Sequence, residues 1–67
     1  KNHSIAFIGS GNMASAIIGG LINAEWPAHL IMASNPTNSK LELLHQKYQI
    51  KVTNNNLHAA EFADIVF

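Results

Sequence analysis

The strongest constraint in this chain lies near its start, where the apolar run Ile5-Ala6-Phe7-Ile8 meets Gly9-Ser10-Gly11 and then Asn12-Met13-Ala14. Four consecutive apolar residues are the pattern of a strand covered on both faces, as in the centre of a parallel sheet. Beyond the glycines, Met13, Ala16, Ile17, Gly20, Leu21 and Ala24 recur at helical spacing, which predicts a helix from about Asn12 to Glu25, ended by Trp26-Pro27. A strand that feeds a helix through Gly-x-Gly-x-x-Ala is the phosphate-cradling turn of a dinucleotide-binding fold. Gly9 permits the tight turn, Gly11 lets the main chain approach a pyrophosphate, and Ala14 occupies the third small position, where helix and sheet pack closely. The N–H groups around Ser10, Asn12 and Met13, with the positive helix end, are the expected pyrophosphate contacts. Without that context the same residues are only a small-residue turn.

The downstream sequence supplies the context. Leu30-Ile31-Met32-Ala33 reads as a second strand and Ser34-Asn35-Pro36-Thr37-Asn38 as a turn cluster. Ser39-Lys40-Leu41-Glu42 has the form of a capping box, and Leu41, Leu44 and Tyr48 share one helical face. Ile50 to Thr53 is a third strand, near an edge because it carries Lys51. Asn54-Asn55-Asn56 starts a short helix with Leu57, Ala60, Phe62 and Ala63 as its apolar positions, and Ile65 opens a fourth strand. Strict alternation implies parallel strands joined by right-handed crossovers. The expected class is α/β: a Rossmann-like doubly wound parallel sheet, truncated after the start of the fourth strand. The first strand is central, with the second and third to one side and the fourth to the other. Gly19-Gly20 costs its helix roughly 1 kcal/mol per glycine relative to alanine, so close backbone packing is expected there.

Composition excludes several function classes. The chain has 67 residues, 48% hydrophobic and 12% charged, which is the balance of one small folded domain rather than a disordered segment. Four lysines against four acids leave no basic field for nucleic acid or an anionic membrane. No apolar run is long enough to span a bilayer, and no charged-then-apolar leader precedes the first strand, so the expected location is the cytoplasm. The absence of cysteine removes a disulfide scaffold or thiolate metal site, and His3, His29, His45 and His58 lack paired ligand spacing, so no metal site is expected. A domain this small buries little surface, and Asp64-Ile65-Val66-Phe67 reads as a strand cut off as it begins. The expectation is a piece of a longer enzyme.

The end of the second strand bears on cofactor choice. An NAD-preferring site places an Asp or Glu there, about 20 residues past the glycines, to bind the ribose 2′-hydroxyl. Here Ser34 and Asn35 stand instead, with Lys40 able to add charge, which favours NADP(H) over NAD(H). Within Asn54-Asn55-Asn56 one side chain is expected to cap the helix, and Asn56 to reach the adenosine ribose as well. No catalytic constellation is visible: Glu25, Glu42, Glu61 and Asp64 are dispersed, and Tyr48 fits a core face.

Ile5 to Ala14, followed by Ala16-Ile17-Ile18-Gly19-Gly20-Leu21-Ile22, resembles the start of pyrroline-5-carboxylate reductase. Ile31 to Pro36, Lys51-Val52-Thr53 with Asn56, and Ala63 to Phe67 are similar to later segments of the same family. The resemblance covers essentially the whole chain but only the first quarter or so of such an enzyme. It implies reduction of 1-pyrroline-5-carboxylate, a small imino acid, to L-proline with NAD(P)H, the last step of proline biosynthesis. It also implies cofactor contacts at Ile8, Gly9, Ser10, Gly11, Asn12 and Met13, at Ser34 and Asn35, and at Asn56. Many members carry an Arg after the second strand, where this chain has Asn35-Pro36. The family's helical C-terminal domain, which forms the homo-oligomer and holds the substrate, lies beyond these residues, so the chain alone is expected to be inactive. A β-hydroxyacid dehydrogenase opens on a similar turn but with Gly in place of Ala14. A non-catalytic nucleotide-sensing module is the reading from a different class.

Overall fold

Strand β1 (Ile5–Ile8) takes the central place that its unbroken apolar run predicts. It is followed by α1 (Asn12–Asn23), a 3-10 turn at Ala28–Leu30, β2 (Ile31–Ser34), α2 (Asn38–Tyr48), β3 (Lys51–Thr53), α3 (Asn56–Phe62) and β4 (Ile65–Val66). This is a computed structural model that describes residues 2–9 and 11–67. Among these residues the strands form one parallel sheet in the order β3-β2-β1-β4. The architecture is the expected doubly wound one, because parallel neighbours require crossovers and their right-handedness fixes which face each helix covers.

Side-chain alternation along the strands divides the interior in two. Ile5 and Phe7 of β1, with Ile31 and Ala33 of β2, point to the face covered by α1 and α2, where they pack with Ile18, Leu41, Leu44 and Ile50. Ala6 and Met32 point to the other face and meet Ala59 of α3, with Ile8, Phe62 and Ala63 at the margin. The larger cluster carries most of the burial. Each fully covered Ile or Phe is worth about 1.5–3 kcal/mol. Ile18, Ile31 and Ile50 are completely buried.

Several element ends differ from the sequence expectation, each for a local reason. Helix α1 stops at Asn23, two residues before Glu25, in a Schellman motif. The Trp26 N–H donates to Leu21 O (2.9 Å) and the Glu25 N–H to Ile22 O (2.9 Å), with Glu25 in the left-handed region at φ 67°. Strand β2 is shifted by one residue: Leu30 belongs to the 3-10 turn and Ser34 to the strand. Ile50 lies just before β3 yet is fully buried, while Lys51 is exposed on an edge strand. The Ser39 capping box is not used. Helix α2 begins at Asn38 after Thr37, which makes no side-chain cap, and the turn is held instead by Asn35 Oδ1 accepting from the Thr37 N–H (2.8 Å). On α3 the buried position is Ala59, whereas Leu57 is 67% exposed and Ala60 is exposed too. Ala59 packs on Ala6 and Met32, and the helix start is held by Asn55 Oδ1, which accepts from the N–H groups of Leu57 (2.9 Å) and His58 (3.2 Å).

The Gly19-Gly20 expectation is half met. A Cβ on Gly19 would lie 2.9 Å from Tyr48 Oη, so this glycine lets α2 approach α1; a Cβ on Gly20 would meet nothing within 4 Å, and nothing here explains that residue.

A buried and an exposed position predict opposite outcomes for two leucine-sized truncations. Ile18→Ala is expected to cost about 2–5 kcal/mol, because it opens a cavity at a completely buried position. Leu57→Ala should change stability by no more than about 0.5 kcal/mol, as for an exposed site. Denaturant unfolding of the two variants side by side measures the contrast.

Candidate nucleotide site at the strand ends

Parallel strands bring their C-terminal ends to one edge of the sheet. Ile8, Ser34 and Thr53 lie in register there, the last residues of β1, β2 and β3. In open α/β sheets this edge is where ligands bind. Gly9 continues the ladder by one further bond, its N–H donating to Ser34 O (2.9 Å), and then turns at φ +71°, a left-handed conformation that a side chain would strain.

Gly11 is glycine for a different reason. Its backbone is extended (φ −128°, ψ −161°), which any residue adopts, and a Cβ built on it would meet nothing within 4 Å. Neither conformation nor internal packing requires glycine there. The residue immediately precedes α1, whose N-terminus has no side-chain cap and no acid in its first turn. The leading N–H groups of a helix have no intrahelical partner, and the aligned peptide dipoles place about half a positive charge beside them. Gly11 therefore keeps open the approach to an uncapped, electropositive helix end.

Around this point the remaining residues converge. Asn12 and Met13 are exposed at the start of α1, Met13 at 78%. Lys40 of α2 joins Gly11, Asn12, Ser15, Leu43 and Leu44 in lining a cleft of about 270 Å³, and no carboxylate lines it. On the other side of the sheet edge the Ser34 hydroxyl donates to Asn56 Oδ1, tying the end of β2 to the first residue of α3.

Residues 4–67 match the family model described as NADP oxidoreductase, coenzyme F420-dependent. The chain belongs to that family. Among curated relatives, this family member is similar to the pyrroline-5-carboxylate reductase of Vibrio alginolyticus, 41% identical over 98% of this chain and 24% of the relative. The enzyme of the same description from Pseudomonas aeruginosa is 42% identical over 92% of this chain and 23% of its own length. A solved structure of a pyrroline-5-carboxylate reductase from Coxiella burnetii superposes with a TM-score of 0.94 at 35% identity, over 98% of this chain and 24% of that one. The chain thus spans about a quarter of the length of these relatives, at their N-terminal part.

Against this frame the residues singled out in the sequence fall into distinct places. Gly9, Gly11, Asn12 and Met13 form the turn and helix start; Ser10 lies outside the described residues. Ile8 is partly buried against the α3-side cluster, and its N–H is already donated to Phe67 O (3.0 Å). Ser34 is completely buried and Asn35 is 7% exposed, its N–H bonded to Thr53 O (3.2 Å). Asn55, not Asn56, caps α3, which leaves the Asn56 side chain for Ser34. That pairing joins residues 22 apart in sequence and has no signature in either segment. Thr53 was not singled out; its Oγ1 accepts from the Asn55 N–H (3.1 Å) and steadies the β3–α3 turn. Among the described residues no helix is long and apolar enough to cross a membrane, and no group of three or more His, Asp or Glu is arranged to hold a metal ion.

The two glycines predict separable effects. Gly9→Ala should destabilise the fold by roughly 1–2 kcal/mol, the cost of a side chain in the left-handed region. Gly11→Ala should leave stability within about 0.5 kcal/mol yet weaken dinucleotide binding by about tenfold or more. Thermal melts and titration with NADPH on the same preparations distinguish the two.

Proposed function

We propose that this chain is the N-terminal, dinucleotide-binding part of a pyrroline-5-carboxylate reductase, and that the whole protein reduces 1-pyrroline-5-carboxylate to L-proline. The observation that carries the nucleotide reading is Gly11, a glycine that nothing inside the protein requires, set before an uncapped helix end. The reaction is carried by the relatives, whose printed names agree on that enzyme. Bound NAD(P)H supplies a hydride for the C=N carbon of the substrate. This chain's own residues bind and orient the cofactor. The N–H groups at Gly11, Asn12 and Met13 take the pyrophosphate, with Ser10 a further contact by the resemblance, Gly9 turning the chain and Ile8 backing it. Asn35 and Asn56 flank the adenosine ribose, with Ser34 behind them.

NADP(H) is the preferred form in this reading. No carboxylate ends β2 to repel a 2′-phosphate, and Lys40 brings a positive charge into the cleft beside Gly11. The substrate-binding and oligomer-forming residues are assigned to the part of the protein beyond this quarter, so the 67-residue stretch alone is inactive, and the complete enzyme is a cytoplasmic homo-oligomer.

The test uses the complete protein that carries these residues. NADPH oxidation should require 1-pyrroline-5-carboxylate and yield L-proline, with NADPH binding more tightly than NADH. Tight cofactor binding without substrate-dependent oxidation would instead identify a nucleotide-sensing module, and equal dissociation constants would remove the NADP(H) preference.

A further inference from the structure

Ser34 sits at the centre of the site yet has no surface to offer a ligand: the residue is completely buried. Its carbonyl and its hydroxyl are both engaged within the protein. Its carbonyl accepts from the Gly9 N–H (2.9 Å), and its hydroxyl donates to Asn56 Oδ1. Asn56 is exposed at the sheet edge. A primary amide has one acceptor oxygen and one donor nitrogen. With the oxygen engaged by Ser34, and Nδ2 bonded to no described residue, the atom that Asn56 presents outward is the donor.

From this we infer that Ser34 is a positioning residue, and that it sets the polarity of Asn56. It holds the Asn56 amide so that Nδ2 meets an acceptor oxygen on the adenosine ribose side of the cofactor. The inference rests on the nucleotide-binding reading above and gives that site a chemical preference. A phosphate oxygen is an acceptor only and fits a fixed donor without leaving a proton unsatisfied. A ribose hydroxyl accepts from the same donor only as a neutral partner, in a weaker hydrogen bond than a charged phosphate oxygen makes. One buried hydroxyl thereby favours the 2′-phosphate without touching it, through a side chain on a different element. Asn35 reaches the same edge, but its Oδ1 is occupied by the Thr37 N–H.

A double-mutant cycle in the complete protein, read as dissociation constants for NADPH and NADH, tests the assignment. Ser34→Ala should weaken NADPH binding about fivefold, and Asn56→Ala about tenfold, the loss expected for a hydrogen bond to a charged acceptor. The double variant should bind no more than about twofold more weakly than Asn56→Ala alone, since Ser34 acts only through Asn56. Full additivity, or no effect of Ser34→Ala, would overturn the positioning role. Asn56→Asp tests polarity at an exposed position that does not endanger folding. It keeps an oxygen for Ser34 but turns the outward atom into a charged acceptor, so NADPH binding should fall below that of Asn56→Ala and the preference over NADH should shrink. Retention of wild-type affinity by Asn56→Asp would sink the donor assignment. Thermal melts of every variant separate lost binding from lost structure. If the unmodified protein binds neither cofactor, the nucleotide reading itself fails; if it binds and the cycle is additive, only this inference does.

Discussion

The parallel pairing of β1 with β2 and β4 is the constraint from which the rest of the molecule follows. Parallel neighbours cannot be joined by tight turns, so each connection crosses a face of the sheet and returns to the same end. The crossovers stack α1 and α2 on one face, while α3 passes over the other to deliver β4 beside β1. The last residues of three strands are thereby brought level, and the loops that leave them are adjacent whatever their separation in sequence. The site is a by-product of this arrangement before any side chain is considered.

What the side chains add is mostly a matter of which polar groups are already spent. The Ile8 and Gly9 N–H groups are used within the sheet and its extension, and Asn55 is used by its own helix. The N–H groups at the start of α1 have no side-chain cap, and a glycine there leaves the approach clear. Lys40 adds charge to the same cleft from α2.

Much of the fold was legible in the sequence because its signals are local. Unbroken apolar runs marked β1 and β2, turn residues marked the crossovers, and alternation fixed the parallel topology and the central place of β1. The misplacements were equally local in origin. The Ser39 capping box is displaced by the Asn35–Thr37 turn, and Leu57 is exposed because Ala59, Phe62 and Ala63 are the positions of this short helix and its end that meet the sheet. Competing short-range options of similar energy are settled by the packing around them.

The residues alone determined that Gly9 and Gly11 stand between a buried strand and a helix, that β2 ends without a carboxylate, and that the chain resembles a reductase. Those properties are carried by residue type and short spacing. Tertiary structure separates the two glycines: Gly9 has a positive φ, whereas Gly11 is extended with open space beside it. It also decided that Ser34 faces inward and Asn56 outward. Alternation along β2 puts Ser34 on the same face as Met32, the face that α3 covers, and its partner is brought from 22 residues away by a crossover. A hydrogen bond between a strand end and a helix start depends on the geometry of the sheet that holds them, and no local pattern encodes it.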